Sequence, residues 1–171
     1  DIMSGEVIDL GLEIDLVVNK NESQSDVLKE TVNTVTSFFA IDKRKMGDPL
    51  FVGDLMREVG NVTGVVNVVE IRVFNKIGGK YSSAEISQAY KDDITKEILQ
   101  FDSTIYMKSN QICQIMFPQS DIKVRVKTEM PNGEWAYKLI DTTTGRVIFN
   151  QLVPDGVTFV NDLMTKKNIK K

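Results

Sequence analysis

The sequence predicts an α+β fold, and three observations point to it. Apolar residues near the N-terminus alternate with polar ones, as they do on a half-buried strand. Two segments with apolar residues at helical spacing follow, and then another strand-like run. Short apolar runs separated by turn residues fill the second half, which is typical of hairpins. We therefore predict a strand–helix–helix–strand module over residues 1–78 and a small antiparallel β-rich subdomain with a short C-terminal helix over residues 79–171.

The first strand is predicted from the segment EVIDLGLEIDLVV. One set of alternate positions is apolar and consists of Leu10, Leu12, Ile14, Leu16 and Val18. The other set consists of Asp9, Gly11, Glu13, Asp15 and Val17. A period of two over ten residues predicts a strand with one buried face and one solvated face.

The first helix is predicted to begin near Ser23, because Asp26 follows three residues later in the pattern of a capping box. Its apolar stripe consists of Leu28, Val32, Val35 and Phe39. Several of its residues are β-branched, so we expect packing to stabilise this helix more than intrinsic propensity does.

A shorter second helix is predicted around Leu50–Val59, where Gly60 or Gly64 can adopt the positive φ that ends it. The strand predicted over Val65–Phe74 has apolar residues on both faces, which indicates deeper burial than in the first strand. The paired glycines Gly78–Gly79 then mark the boundary between the two predicted subdomains.

The second half contains less regular signals. Residues 84–99 fit either a helix of mixed quality or an irregular segment. Asn132-Gly133 predicts a hairpin turn, residues 141–145 predict a longer hairpin loop, and residues 158–171 predict a short basic helix. Four short strands are predicted, over Ile112–Phe117, Ile122–Lys127, Glu134–Ile140 and Arg146–Leu152.

Composition argues against several classes of function. Of the 171 residues, 42% are apolar and 26% are charged, as in an average globular protein. The net charge is −3, which argues against nucleic-acid binding dominated by electrostatic attraction to phosphates. Histidine is absent, which removes nucleophilic sites with a His base and most catalytic zinc sites. Cys113 is predicted to be a buried, inert thiol. No apolar run approaches the roughly 20 residues of a membrane helix. Because the sequence starts at Asp1 and not at a methionine, we expect it to be a fragment of a longer polypeptide.

An acidic stripe on the first strand is the first candidate for a site. Asp9, Glu13 and Asp15 could contribute oxygen ligands to a divalent cation. Alternate residues on a strand stand about 7 Å apart, however, and no neighbouring loop adds ligands. A solvated face is therefore the favoured interpretation of these carboxylates.

Two further charged groups are candidates for chemistry or binding. Asp93 and Glu97, with Asp92 beside them, resemble a carboxylate pair, but interspersed lysines favour ordinary surface patterning. A basic stripe on the predicted strand 122–127 fits phosphate binding or pairing with an acidic strand, and it consists of Lys123, Arg125 and Lys127. The sequence therefore predicts no catalytic, cofactor-binding or metal-binding residue, and no cofactor.

One stretch carries a family resemblance. The segment MGDPLFVGDLMREVGNVTGVVNVVEIRV, Met46–Val73, resembles the baseplate J-like proteins of contractile phage tails. The second half, with YSSAEISQAYKDDITKEILQFDSTIY and DIKVRVK, is similar to a C-terminal portion of the baseplate wedge proteins of T4-like phages. The positions that carry the first resemblance are Gly47, Pro49, Leu50, Asp54, Leu55, Val62, Gly64 and Val65.

The resemblance implies a non-enzymatic structural component of a virion, located in the tail baseplate. The implied partners are further copies of the chain and other baseplate wedge proteins, with no nucleic acid, membrane or small-molecule substrate. The alternative is a small carbohydrate- or peptide-binding module of a tail structure. That alternative rests on the hairpins of the second half and on exposed residues among its aromatics Phe101, Tyr106, Phe117, Trp135, Tyr137, Phe149 and Phe159.

Overall fold

The computed structural model describes residues 5–19, 21–129, 135–140 and 147–150, with side chains over 5–19 and 21–127. The predicted α+β class is confirmed. The strands are β1 (Glu6–Val18), β2 (Leu50–Phe51), β3 (Val65–Asn75), β4 (Thr104–Ile105), β5 (Gln111–Gln114), β6 (Ile122–Glu129), β7 (Trp135–Ile140) and β8 (Val147–Asn150). The helices are α1 (Gln24–Phe38), α2 (Val52–Gly60) and α3 (Pro118–Asp121), with short 3-10 turns at Ile41–Lys43 and Gln88–Tyr90.

The main sheet is built around its first strand. Its strand order is β3-β1-β6-β7-β8, and β5 also pairs with β1, which makes six strands. β3 runs antiparallel to β1, whereas β5 and β6 run parallel to it, opposite its residues 6–9 and 12–17 respectively. The thirteen-residue β1 therefore has neighbours along both edges. β2 and β4 form a separate two-stranded ribbon, which the sequence pattern did not predict.

The core lies between one face of the sheet and the two longer helices. The buried apolar residues of β1 are the five predicted from its alternation and also Ile8, and they pack in one cluster with Leu28 and Val35 of α1 and Leu55 and Val59 of α2. Burying each such side chain stabilises the fold by roughly 1.5–3 kcal/mol. Packing of the helices on this face leaves the opposite face of the sheet for the charged residues described below.

Local signals explain where the first helix and the second long strand begin. The Ser23 side chain accepts a hydrogen bond from the Asp26 backbone N–H at 3.4 Å, and it caps α1 as predicted. Of the two glycines proposed to follow α2, Gly64 has the positive φ, at +94°. That conformation turns the chain from α2 into β3 and is one that residues with a Cβ rarely adopt.

The segment 84–99 is irregular apart from its 3-10 turn. It runs beside the outer edge of β3, where the Ile98 N–H donates to the Val73 carbonyl at 2.7 Å. The predicted strand Ile112–Phe117 is shorter than expected, because Pro118 starts α3 before the chain enters β6. The predicted turn at Asn132-Gly133, the loop at 141–145 and the C-terminal helix lie outside the described residues.

The proposed boundary between residues 78 and 79 stays a prediction. Gly78 and Gly79 both have positive φ, at +85° and +56°. The main sheet includes strands from both sides of this point, since β1 pairs with β3 and also with β6.

Candidate functional site

The face of the sheet opposite the helices carries a network of charged side chains, which we call the charged face. It consists of Glu13 and Asp15 on β1, Glu70 and Arg72 on β3, and Arg125 on β6. In the strand register, Glu13 lies opposite Arg72, and Asp15 lies opposite both Glu70 and Arg125. Residues directly opposite each other project from the same side of a sheet, so acids and bases from three strands become neighbours.

The pair at the centre of the charged face is fully buried. The Arg125 guanidinium donates through Nε to Asp15 Oδ1 at 2.9 Å and through Nη2 to Asp15 Oδ2 at 2.8 Å. The Arg125 side chain is 0% exposed and that of Asp15 is 2% exposed. Two parallel bonds between a planar guanidinium and a carboxylate hold both groups in one orientation.

Arg72 extends this network toward the edge of the sheet. Its Nε donates to Glu13 at 3.1 Å and its Nη1 donates to Glu70 at 2.7 Å, while Nη1 also lies 3.8 Å from Asp15 Oδ2. Burial alone would lower the pKa of Arg72, but the carboxylates of Asp15, Glu70 and Glu13 outweigh it and raise that pKa. The guanidinium therefore stays charged.

The solvated interpretation of the acidic stripe is wrong. Asp9 and Asp15 are buried, because strands from distant parts of the chain flank β1 on both sides. Asp9 accepts hydrogen bonds from the Ser82 backbone N–H at 2.6 Å and from Gln114 Nε2 at 2.8 Å. Pairing of the basic stripe with an acidic strand is confirmed at Arg125. Among the described residues, no group of three or more His, Cys, Asp or Glu side chains is arranged to hold a metal ion.

The structure places Asp92, Asp93 and Glu97 on a folded-back loop and not on one turn of helix. The backbone N–H groups of Thr95 and Ile94 donate to Asp92 Oδ1 at 2.8 and 2.9 Å and lower the pKa of Asp92. Burial raises the pKa of Glu97. That these carboxylates have no catalytic role stays a prediction.

A polar cleft, which we call the lysine cleft, lies beside the charged face. Its volume is about 340 Å³, and Lys76, Lys96, Lys123, Tyr81 and Asp121 line it. The Tyr81 hydroxyl donates to Asp121 Oδ1 at 2.8 Å, and Asp121 is only 4% exposed. Asp121 Oδ2 is buried and has no hydrogen-bond partner within the described part of the chain. Sequence reasoning missed this cleft, because its residues are spread from β1 to α3 and share no local spacing.

A larger open groove of about 840 Å³ runs between α1 and the start of α2. Its lining mixes the aromatic rings of Phe38 and Phe51 with charged residues of both signs, Arg44 and Asp54 among them. The Arg44 guanidinium already lies over the Phe38 and Phe39 rings, 5.7 Å from each ring centroid. These cation–π contacts engage the Arg44 guanidinium, which would otherwise be available to bind a ligand in the groove.

The remaining sequence candidate is the cysteine. Cys113 is buried in β5, as predicted, and burial raises the pKa of its thiol. A raised pKa lowers the thiolate fraction at neutral pH, which agrees with an inert thiol.

No helix in the described ranges is long and apolar enough to cross a membrane.

Comparison with known proteins gives partial matches to one kind of bacterial protein. No family model matches the chain. The DNA-directed RNA polymerase subunits β′ of Flavobacterium psychrophilum and Flavobacterium johnsoniae are each 47% identical to it over 49 residues, which is 29% of this chain and 3% of each relative. The β′ subunit of Karelsulcia muelleri is 34% identical over 98 residues, which is 56% of this chain and 6% of the relative. The chain thus spans a small fraction of the length of these relatives.

These matches overturn the predictions that followed from the phage resemblance. The relatives are subunits of a bacterial cellular enzyme, so the predicted baseplate family, virion location and structural or carbohydrate-binding role are wrong. The predictions of no enzymatic role, of baseplate partners and of no nucleic acid are also wrong, because the relatives are named as parts of a DNA-directed polymerase.

Local geometry explains why the phage resemblance misled. Gly47 and Gly64, two of the positions that carried it, have φ values of +83° and +94°. A turn that needs a positive φ selects glycine in any fold. Such a motif therefore reports backbone geometry and does not identify a function.

Proposed function

We propose that this chain is part of a β′-type subunit of a DNA-directed RNA polymerase and contributes to template-directed RNA synthesis. The observation that carries the proposal is the 47% identity over 49 residues to the β′ subunits of two Flavobacterium species. DNA and the other subunits of the polymerase are the partners that follow from this proposal.

The Karelsulcia match supports the same assignment over a longer segment. It covers more than half of the chain and therefore includes residues that the structure describes. The described residues, taken as a whole, form a unit in which the sheet around β1 is joined by the buried Asp15–Arg125 pair. We propose that this unit is a frame that holds a neighbouring segment of the subunit in place.

The test is an exchange of segments in a reconstituted polymerase. The 49-residue matching segment of the Flavobacterium johnsoniae β′ subunit is replaced by the corresponding residues of this chain, and RNA synthesis on a promoter template is measured. We expect the exchanged subunit to assemble and to synthesise RNA at a rate close to that of the parent polymerase.

Two controls make the exchange decisive. The same segment from the Flavobacterium psychrophilum subunit should function, and a segment with this chain's composition in shuffled order should not. If the segment of this chain behaves like the shuffled control while the Flavobacterium psychrophilum segment functions, the proposal is wrong.

A further inference from the structure

The lysine cleft carries an excess of positive charge, because three lysines line it together with only two carboxylates, those of Glu13 and Asp121. Lys76, Lys96 and Lys123 line the cleft, and none of the three ammonium groups forms an ion pair with a described residue. The Glu13 carboxylate at the cleft wall already accepts a hydrogen bond from Arg72. An anion bound between the lysines would relieve their mutual repulsion.

The backbone holds one of these lysines in an unusual conformation. Lys96 has φ of +62°, in the left-handed region that side-chain-bearing residues rarely occupy. The turn that Asp92 organises maintains it, since the Lys96 N–H donates to the Asp92 carbonyl at 3.0 Å. The loop thereby fixes the direction from which the Lys96 side chain enters the cleft.

Asp121 provides the cleft with a hydrogen-bond acceptor, in addition to the positive charge of the lysines. Its Oδ1 accepts a hydrogen bond from the Tyr81 hydroxyl, while its buried Oδ2 has no partner among the described residues. Burial, followed by the hydrogen bond to Asp121, raises the pKa of Tyr81 to about 12, so that the phenol remains a donor at neutral pH. An unpartnered buried carboxylate oxygen is costly, and a hydroxyl group from a ligand would satisfy it.

The size of the cleft limits the ligand. Its volume of about 340 Å³ is near the lower end of the range of small-molecule sites. Gly11 lies in the wall, where an added Cβ would stand 3.0 Å from Lys76 Cδ, and its lack of a side chain leaves room for that lysine. A compact molecule fits this space better than an extended polymer does.

We propose that the lysine cleft binds a small phosphate monoester that also carries hydroxyl groups. The cleft lysines would hold the phosphate, which is close to doubly charged at neutral pH. A hydroxyl of the same molecule would donate to Asp121 Oδ2. The inference does not depend on the polymerase assignment, because it rests only on residues of the cleft.

The test is calorimetric titration of the whole chain with ribose 5-phosphate as the probe, and with inorganic phosphate and ribose as fragments of it. We expect ribose 5-phosphate to bind more tightly than either fragment. Asp121→Asn, which keeps the volume but replaces one acceptor oxygen by an NH₂ group, should weaken ribose 5-phosphate binding by about tenfold or more. The same substitution should not weaken binding of inorganic phosphate.

A second variant keeps the test informative if Asp121→Asn fails to fold. Lys123→Gln should weaken ribose 5-phosphate and inorganic phosphate alike, because it removes an ammonium group from the cleft. The matched control is Lys29→Gln on the exposed side of α1, which should change neither affinity.

Three outcomes would overturn the proposal. One is no binding of ribose 5-phosphate to the folded chain. Another is equal binding of ribose 5-phosphate and inorganic phosphate with no effect of Asp121→Asn, which would mean non-specific anion binding to lysines. The third is binding of an end-blocked oligonucleotide alone, which would make the cleft a contact for a phosphate backbone.

Discussion

Removing the negative charge of Asp15 should destabilise the protein far more than removing a charge from an exposed ion pair. Asp15→Asn keeps the side-chain volume and one acceptor oxygen but removes the carboxylate charge that the buried Arg125 guanidinium contacts through two hydrogen bonds. Breaking a buried pair by removing one partner costs about 3–5 kcal/mol. Because Asn keeps one acceptor, we expect about 3 kcal/mol, at the lower end of that range.

The exposed pair of α2 is a matched control. Arg57 and Asp54 are also 2.9 Å apart, but their side chains are 65% and 46% exposed. Asp54→Asn should therefore change the free energy of unfolding by no more than about 1 kcal/mol, which includes the exposed ion pair and the position of Asp54 in the first turn of α2. The two substitutions are chemically identical, so a much larger effect of Asp15→Asn reports the burial of its ion pair.

The assay is equilibrium unfolding in urea, with circular dichroism as the probe of the folded fraction. Urea is chosen because an uncharged denaturant does not screen ion pairs. The double variant Asp15→Leu/Arg125→Met should recover most of the loss, because a buried pair replaced on both sides leaves no uncompensated charge. Equal effects of Asp15→Asn and Asp54→Asn, or a double variant less stable than Asp15→Asn, would refute the reasoning.

Four further predictions concern two glycines and two titrating groups. Gly64→Ala should cost about 1–3 kcal/mol in urea unfolding, because its φ is positive and Val27 Cγ2 would lie 2.5 Å from the new Cβ. Gly53→Ala, where α2 has open space, should instead stabilise by about 0.5–1 kcal/mol. Burial raises the pKa of Glu97, so Glu97→Gln should stabilise the protein at neutral pH, and unfolding at lower pH should show this gain shrinking as the glutamate becomes protonated. Ultraviolet absorbance should show Tyr81 ionising near pH 12, with its contribution to stability lost as pH rises from the ordinary tyrosine range to that value.

Local patterns in the sequence predicted the helices and long strands of the first half, but the deeper burial expected for β3 is wrong, because β3 is more exposed than β1. The alternation from Leu10 to Val18 is a property of consecutive residues, and each predicted apolar position of that strand is buried. The same pattern could not show that the polar face is buried too. That depends on Arg125, which is separated from Asp15 by 110 residues in the chain.

The candidate site was harder to predict for the same reason. The lysine cleft joins residues from β1, from the end of β3 and the loops after it, and from α3 and β6. The pairing of Tyr81 with Asp121 bridges 40 residues and follows no local spacing. A spacing argument applied to Asp93 and Glu97 assumed a helix, and the irregular loop along β3 removed its basis.

The central position of β1 has a consequence for how the chain folds during synthesis. β1 emerges from the ribosome before its parallel partner β6, which begins more than a hundred residues later in the chain. Parallel pairing over such a separation forms slowly, because the entropic cost of closing a long loop arises before the contacts between the strands can stabilise it. Until then one edge of an apolar strand is open to other nascent chains, and chaperones that shield it should increase the yield of folded protein.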